Sequence, residues 1–360
     1  MDLFKSARLL LTGLLIVSFF GCNLHSRPMH MPTQPTETVA SYWDAPLHES
    51  APKSLAIAEH QFQIVIQQSR FELNSSKPFQ EVEIPLIIRT YRPYVQAFWS
   101  GRQVDCLVDT GAWSTIWPQW MHLDTKQLDF AQNERGPEGA AVRAEWVLSP
   151  KIVIGNLTLI NIPTEALGIP KPSSTRPTLT SQQSFITSSL QSDLTSPTIG
   201  IFAFLPGVFT IDYRRRKLIV RNRDYDVTHL AHTPNTLLVP YQTDNARRVI
   251  LPGTLAGHSV RFLLDTGSSL FCVSSAFAHK YLSPLPKPGA FRESIRTTSN
   301  SQSVLHNVTG TLVGGTIKMQ NLYVVERVGG ADVLLGSPFF LQYRITIDPF
   351  RKVILLEKAH

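Results

Sequence analysis

The chain has 360 residues, of which 43% are apolar and 17% charged, and its formal net charge is +7. That length accommodates two domains of ordinary size, and the apolar content excludes a disordered chain. Twenty-five prolines and twenty glycines spread along the sequence argue against long helices, and three cysteines are too few for a disulfide framework. The apolar runs are short and rich in Val, Ile, Leu and Phe, which is the pattern of strands.

At the start of the chain, Lys5 and Arg8 precede the apolar run LLLTGLLIVSFFG (9–21). The run is short for a membrane span and is followed by polar chain, so residues 1–21 read as a cleaved signal peptide. Cys22 follows Phe19-Phe20-Gly21, which resembles the lipobox of bacterial lipoproteins, with Phe19 where that family usually has Leu. The resemblance implies that Cys22 is acylated and becomes the new N-terminus. Asn23 replaces the Asp that retains such proteins at the inner membrane, which implies an outer-membrane anchor facing the periplasm. Without acylation the protein would be secreted.

Residues 22–79 are rich in Pro, Thr, Ser and His without periodicity and read as a tether. FQIVIQQSRFEL (62–73) adds a peripheral strand or two to this reading. The densest basic cluster, RRRK (214–217) with Arg221 and Arg223, reads as a solvated hairpin rim; nucleic acid is not an expected partner.

From about residue 80 the chain repeats itself, giving a first lobe over 80–228 and a second over 229–360. IPLII (84–88) opens one copy and LLVPY (237–241) the other; Pro85 lies 24 residues before Asp109 and Pro240 lies 25 before Asp265. YVQAFWSGRQVDCLVDTG and RVILPGTLAGHSVRFLLDTG follow. Each reads as a hairpin turning at a glycine, Gly101 or Gly257, with its second strand ending at the aspartate. IGIFAFLPGVFTIDY (199–213) and LGSPFFLQYRITIDP (335–349) close the copies, with Gly200 to Asp212 and Gly336 to Asp348 both spanning 12 positions. The first copy carries a Ser/Thr-rich insertion at 171–197, expected on the surface.

Each copy presents Asp-Thr-Gly at a strand end: Asp109-Thr110-Gly111 and Asp265-Thr266-Gly267. Glycine permits a sharp reversal close to another backbone, and the threonine hydroxyls can bond nearby backbone and stiffen the loop. If the loops face each other about a two-fold axis, the carboxyls cannot both ionise cheaply, and one proton is shared. The charged member can then take a proton from water while the protonated member polarises a peptide carbonyl, which is general acid–base hydrolysis.

Residues 80–358, with both Asp-Thr-Gly loops and the later TIG (198–200) and LLG (334–336), resemble the pepsin/retropepsin superfamily of aspartic proteases, in particular two-lobed bacterial retropepsin-like proteins. The resemblance implies an all-β acid protease fold of two barrel-like lobes with a central cleft. It makes Asp109 and Asp265 the catalytic pair, and gives Thr110 and Thr266 an interlocking hydroxyl grip. Gly200 and Gly336 would lie where a later strand passes behind each loop. Ser268 follows Gly267 where Ala112 follows Gly111, and a Ser268 hydroxyl bond to Asp265 would make Asp265 the anion and Asp109 the proton carrier. Trp113 stands where these families carry Asp or Ser and is expected to line or obstruct a substrate subsite.

The expected activity is endopeptidase cleavage of a peptide or protein substrate by a monomeric catalytic unit without a cofactor or metal. Segments 133–146 and 297–310 are candidate lids. The alternative is a non-catalytic periplasmic lipoprotein that uses the cleft to bind peptides or as a scaffold, with Trp113 filling its floor. Cys106 and Cys272 read as buried free thiols, although a bridge between the copies stays open.

Overall fold

The computed structural model describes residues 69–73, 81–118, 121, 126–135, 141–167, 196–233, 235–244, 248–285, 304–312, 315–325 and 331–358. The signal peptide, Cys22, most of the tether and the insertion up to residue 195 lie outside the described residues. The protein is all-β with two lobes, as the repeat leads one to expect; the only α-helices among the described residues are the short Ser275–Tyr281 and Ser337–Gln342.

The hairpins form where the sequence puts its turn residues. Trp99 pairs with Arg102 across Ser100 and Gly101, and Leu255 pairs with His258 across Ala256 and Gly257. All four turn residues have positive φ, between 48° and 82°, the geometry that two-residue hairpins favour because its twist matches that of the strands.

In the first lobe the strand order runs Leu157–Leu167, Thr115–Pro118, Thr198–Gly200, Arg102–Asp109, Arg92–Trp99, Ala141–Ile154. Ala141–Ile154 pairs again with Leu157–Leu167, so the six strands close on themselves. The second lobe repeats the ring as Gly315–Val325, Phe271–Ser274, Val333–Leu335, His258–Leu264, Val249–Leu255, Val304–Leu312, closed by Val304–Leu312 pairing with Gly315–Val325. Closure removes the unpaired edges that an open sheet would expose. Arg70–Leu73 adds an outer strand beside Leu157–Leu167.

A six-stranded sheet joins the lobes, with three strands from each: Val82–Pro85, Val208–Asp212 and Lys217–Arg221 from the first, Thr236–Pro240, Tyr343–Asp348 and Val353–Lys358 from the second. Its central pair is Val208–Asp212 against Tyr343–Asp348, in the register Phe209–Ile347, Thr210–Thr346, Ile211–Ile345. Every residue of Val208–Asp212 is buried. The unbroken burial reflects cover on both faces, whereas outer Val82–Pro85 alternates buried and exposed. The first lobe's interior holds Trp99, Trp117 and Trp146, and the Trp99 indole N–H donates to Ser149 Oγ at 3.1 Å. Cys106 and Cys272 are buried thiols that form no disulfide.

Candidate active site

The two Asp-Thr-Gly loops meet between the lobes. In the first, Cys106, Leu107 and Val108 are buried and hold the strand in the barrel up to Asp109. Thr198–Gly200 runs parallel beside it, with Gly200 opposite Asp109. In the second, Val333–Leu335 runs parallel beside His258–Leu264, and the Asp265 N–H donates to Leu335 O at 3.0 Å. A Cβ on Gly200 would collide with Ser114 O, and one on Gly336 with Leu270 O, each acceptor five residues past its aspartate. Gly200 and Gly336 therefore allow the later strand to cross directly behind each loop.

The loops are locked to each other by reciprocal bonds. Thr110 N–H donates to Thr266 Oγ1 (2.9 Å), and Thr266 N–H to Thr110 Oγ1 (3.0 Å). The Thr110 hydroxyl donates to Leu264 O (3.1 Å), and the Thr266 hydroxyl to Val108 O (2.7 Å). Both threonines are buried, so each hydroxyl is satisfied only while the other lobe is present. Glycine at 111 and 267 is required by close approach: a Cβ on Gly111 would overlap the Asp265 carboxyl, and one on Gly267 the Asp109 carboxyl.

This brings the Asp109 and Asp265 carboxyls within hydrogen-bonding reach of each other, while both residues keep part of their surface open to solvent. Gly111 N–H and Ala112 N–H donate to Asp109 Oδ1 at 2.8 and 3.2 Å. Gly267 N–H also bonds the Asp265 carboxyl, and Ser268 N–H donates to Asp265 Oδ1 at 3.1 Å. Burial raises Asp109 well above the usual carboxylate range, and the charge of Asp265 raises it further. Burial also raises Asp265, but the hydrogen bond from Asp109 and the nearby Arg248 and Arg92 pull it back. Both carboxyls are therefore raised by burial, and the coupled pair retains a proton above the usual carboxylate range.

The expectation that the Ser268 hydroxyl bonds Asp265 needs correction. The Ser268 hydroxyl donates to Leu270 O and accepts from Leu270 N–H, both at 3.3 Å, so Ser268 supports Asp265 through its backbone alone. Trp113 also departs from expectation. It is 3% exposed and packs edge-on against Phe202 in the core, centroids 5.0 Å apart, rather than forming a subsite wall. A bulky indole recovers more free energy buried among apolar side chains than at a wet surface.

Of the lid candidates, the first falls on the hairpin of Lys126–Arg135 and Ala141–Ile154, whose tip lies outside the described residues. Half of the second, Val304–Gly310, is barrel strand paired with Gly315–Val325; residues 297–303 lie outside the described residues.

Sequence reasoning missed two buried arginines. Arg92 and Arg248 each lie 17 residues before an aspartate, and only 8% and 4% of their surface is exposed. Arg248 is held by Asp244 (Nε to Oδ2, 2.9 Å), whereas Arg92 hydrogen-bonds Tyr94. The matched offset was the available signal. Also missed was Glu165, fully buried and hydrogen-bonded to the Ser114 hydroxyl behind the first loop; nothing local in the sequence marks it.

Residues 251–339 match a family model described as aspartyl protease. No curated protein matches the chain. Among solved structures it is similar to an aspartic proteinase from Irpex lacteus, with a TM-score of 0.46 and 14% identity over 78% of this chain and 97% of that one.

Proposed function

We propose that the protein is an aspartic endopeptidase acting through Asp109 and Asp265. The observation that carries this reading is the pair of carboxyls sharing a hydrogen bond between loops locked by Thr110 and Thr266. A water between the carboxyls gives a proton to the Asp265 carboxylate as its oxygen bonds to the scissile carbonyl carbon. Asp109 gives its proton to the carbonyl oxygen, forming a neutral tetrahedral diol. Return of a diol proton to Asp109 and transfer of the Asp265 proton to the amide nitrogen break the C–N bond. The products are an acid and an amine, and the pair ends with one proton as it began. Because both aspartates belong to one chain, a monomer carries the complete pair. Trp113 does not supply the blocked floor on which the non-catalytic alternative rested.

The test is to incubate the purified protein with a mixture of peptides between about pH 3 and 7 and identify cleavage products by mass spectrometry. Asp109→Asn and Asp265→Asn are each expected to abolish cleavage while leaving circular dichroism unchanged. Undiminished cleavage by either variant would overturn the mechanism.

We further propose that Cys22 is acylated and anchors the protein to the outer membrane facing the periplasm, a reading supported by the run 9–21 and its basic start. Metabolic labelling with a radioactive fatty acid should mark the protein and spare Cys22→Ala; equal labelling of both would reject it.

A further inference from the structure

Two buried side chains tie the lobes together on one side of the pseudo-two-fold axis only. Tyr213, 4% exposed, follows the first lobe's closing strand and reaches the second lobe, where its hydroxyl lies 3.1 Å from Ser337 Oγ. Ser337 is fully buried and donates through Oγ to Thr266 O at 3.3 Å, while its N–H donates to Ser268 O at 2.7 Å. One residue thus holds the Asp265 loop at two carbonyls. The ring of Tyr213 is steadied by Phe340, centroids 5.5 Å apart.

The corresponding side of the first lobe lacks the chemistry. Ile201 follows Gly200 as Ser337 follows Gly336, and Pro349 follows Asp348 as Tyr213 follows Asp212. Ile201 keeps the backbone bond, its N–H donating to Ala112 O at 2.9 Å, but neither it nor Pro349 has a hydroxyl to offer Thr110 O.

The carbonyl that Ser337 engages belongs to the Thr266–Gly267 peptide, whose N–H bonds the Asp265 carboxyl. Hydrogen bonds in series polarise one another, so donation to the carbonyl strengthens the N–H of the same peptide as a donor. We propose that Tyr213 and Ser337 form a relay, phenol to hydroxyl to peptide, that makes Asp265 rather than Asp109 the member of the pair that holds the negative charge. They act through the loop and are positioning residues. Burial keeps the Tyr213 phenol protonated, with Asp265 and Asp109 adding to the upward push, so it remains a donor.

The other groups facing this carboxyl are Asp109 across the axis, Arg92 with Tyr94 from the first lobe, and Arg248 with Asp244 from the second. Arg92 and Arg248 lie at matched positions in the two lobes and also favour the anion on Asp265; the relay has no counterpart on the Asp109 side.

The inference rests on the reading of Asp109 and Asp265 as a catalytic pair, and its test separates the two. Tyr213→Phe and Ser337→Ala remove the relay's hydroxyls with little change of shape. In both, the acid limb of the kcat/KM–pH profile is expected to move up by about 0.3–0.5 pH unit, with KM little changed. The double variant should shift no further than Ser337→Ala alone, because Tyr213 acts only through Ser337. An unmoved acid limb in folded Ser337→Ala, or additive shifts, would overturn the proposal.

Carbon-13 titration of the aspartate carboxyls reads the same quantity without turnover. The lower apparent pKa of the pair should rise in Ser337→Ala, and an unchanged value rejects the relay. If the wild-type protein cleaves nothing, the endopeptidase reading fails and this titration still decides the relay. Urea denaturation of each variant separates loss of fold from loss of polarisation.

Discussion

Thr210 and Thr346 face each other at the centre of the interlobe sheet, their Oγ1 atoms 2.8 Å apart. They are the register pair at which each residue meets its own counterpart in the other copy, flanked by Phe209–Ile347 and Ile211–Ile345. The pseudo-two-fold axis passes between them. Both are buried, and Thr210 Oγ1 also accepts from Arg221 Nη1 at 3.0 Å. Thr346→Val should cost about 1–3 kcal/mol, because it leaves a buried hydroxyl short of a partner. In urea denaturation, the double variant Thr210→Val, Thr346→Val should cost clearly less than the two single costs added. Strict additivity would mean that the pair is not coupled.

The glycines of the two loops give a prediction about crossed effects. A methyl group at 111 pushes on Asp265 and one at 267 pushes on Asp109, so each substitution disturbs the aspartate of the opposite lobe. Gly267→Ala should reduce kcat at least about a hundredfold, since displacements near 1 Å have that effect. In carboxyl carbon-13 spectra Asp109 should move more than Asp265. A larger shift at Asp265 would contradict the geometry.

Stability should depend on pH through Asp109. Its folded-state pKa is raised, with burial the first cause and the Asp265 charge the second. A carboxyl raised on folding contributes stability that is fully present below about pH 4 and is lost as pH rises through the folded value. Asp109→Asn removes that loss. Its melting temperature should exceed that of the wild type at pH 8, and the difference should shrink towards pH 4. A difference independent of pH would show that the Asp109 carboxyl is not raised on folding.

Trp113 should behave as a packing residue. Trp113→Ala is expected to destabilise the first lobe by about 3–5 kcal/mol. Trp113→Phe keeps most of the contact with Phe202 and should leave substrate preference unchanged in a peptide-library digest. An altered cleavage pattern in Trp113→Phe would mean that the ring reaches substrate.

The repeat was legible because its parts are local. A glycine turn, an apolar strand and an Asp-Thr-Gly follow one another within about twenty residues in each copy, and matched offsets place the later Gly200 and Gly336. The barrels were expected only through the family resemblance, because closure depends on pairings such as Phe98 with Val153, 55 positions apart, that no local pattern specifies.

Within the site, Ser268 and Trp113 were misjudged for the same reason. A motif position tells which residue follows the loop, but three-dimensional neighbours decide its partner: Leu270 in one case, Phe202 in the other. Arg92 and Arg248 were hidden inside strand openings, where an arginine reads as a solvated end. Tyr213 and Ser337 lie 124 positions apart, and only the folded chain brings them together.

The interlobe sheet has a consequence for how such a molecule can change over generations. When a symmetric site is assembled from two identical subunits, any alteration in the gene appears twice, once on each side of the axis. Here the halves are encoded separately and joined by three strands apiece, so each side is free to acquire residues the other lacks. Ser337 opposite Ile201 and Tyr213 opposite Pro349 are such differences, and no homodimer of one short chain could hold them.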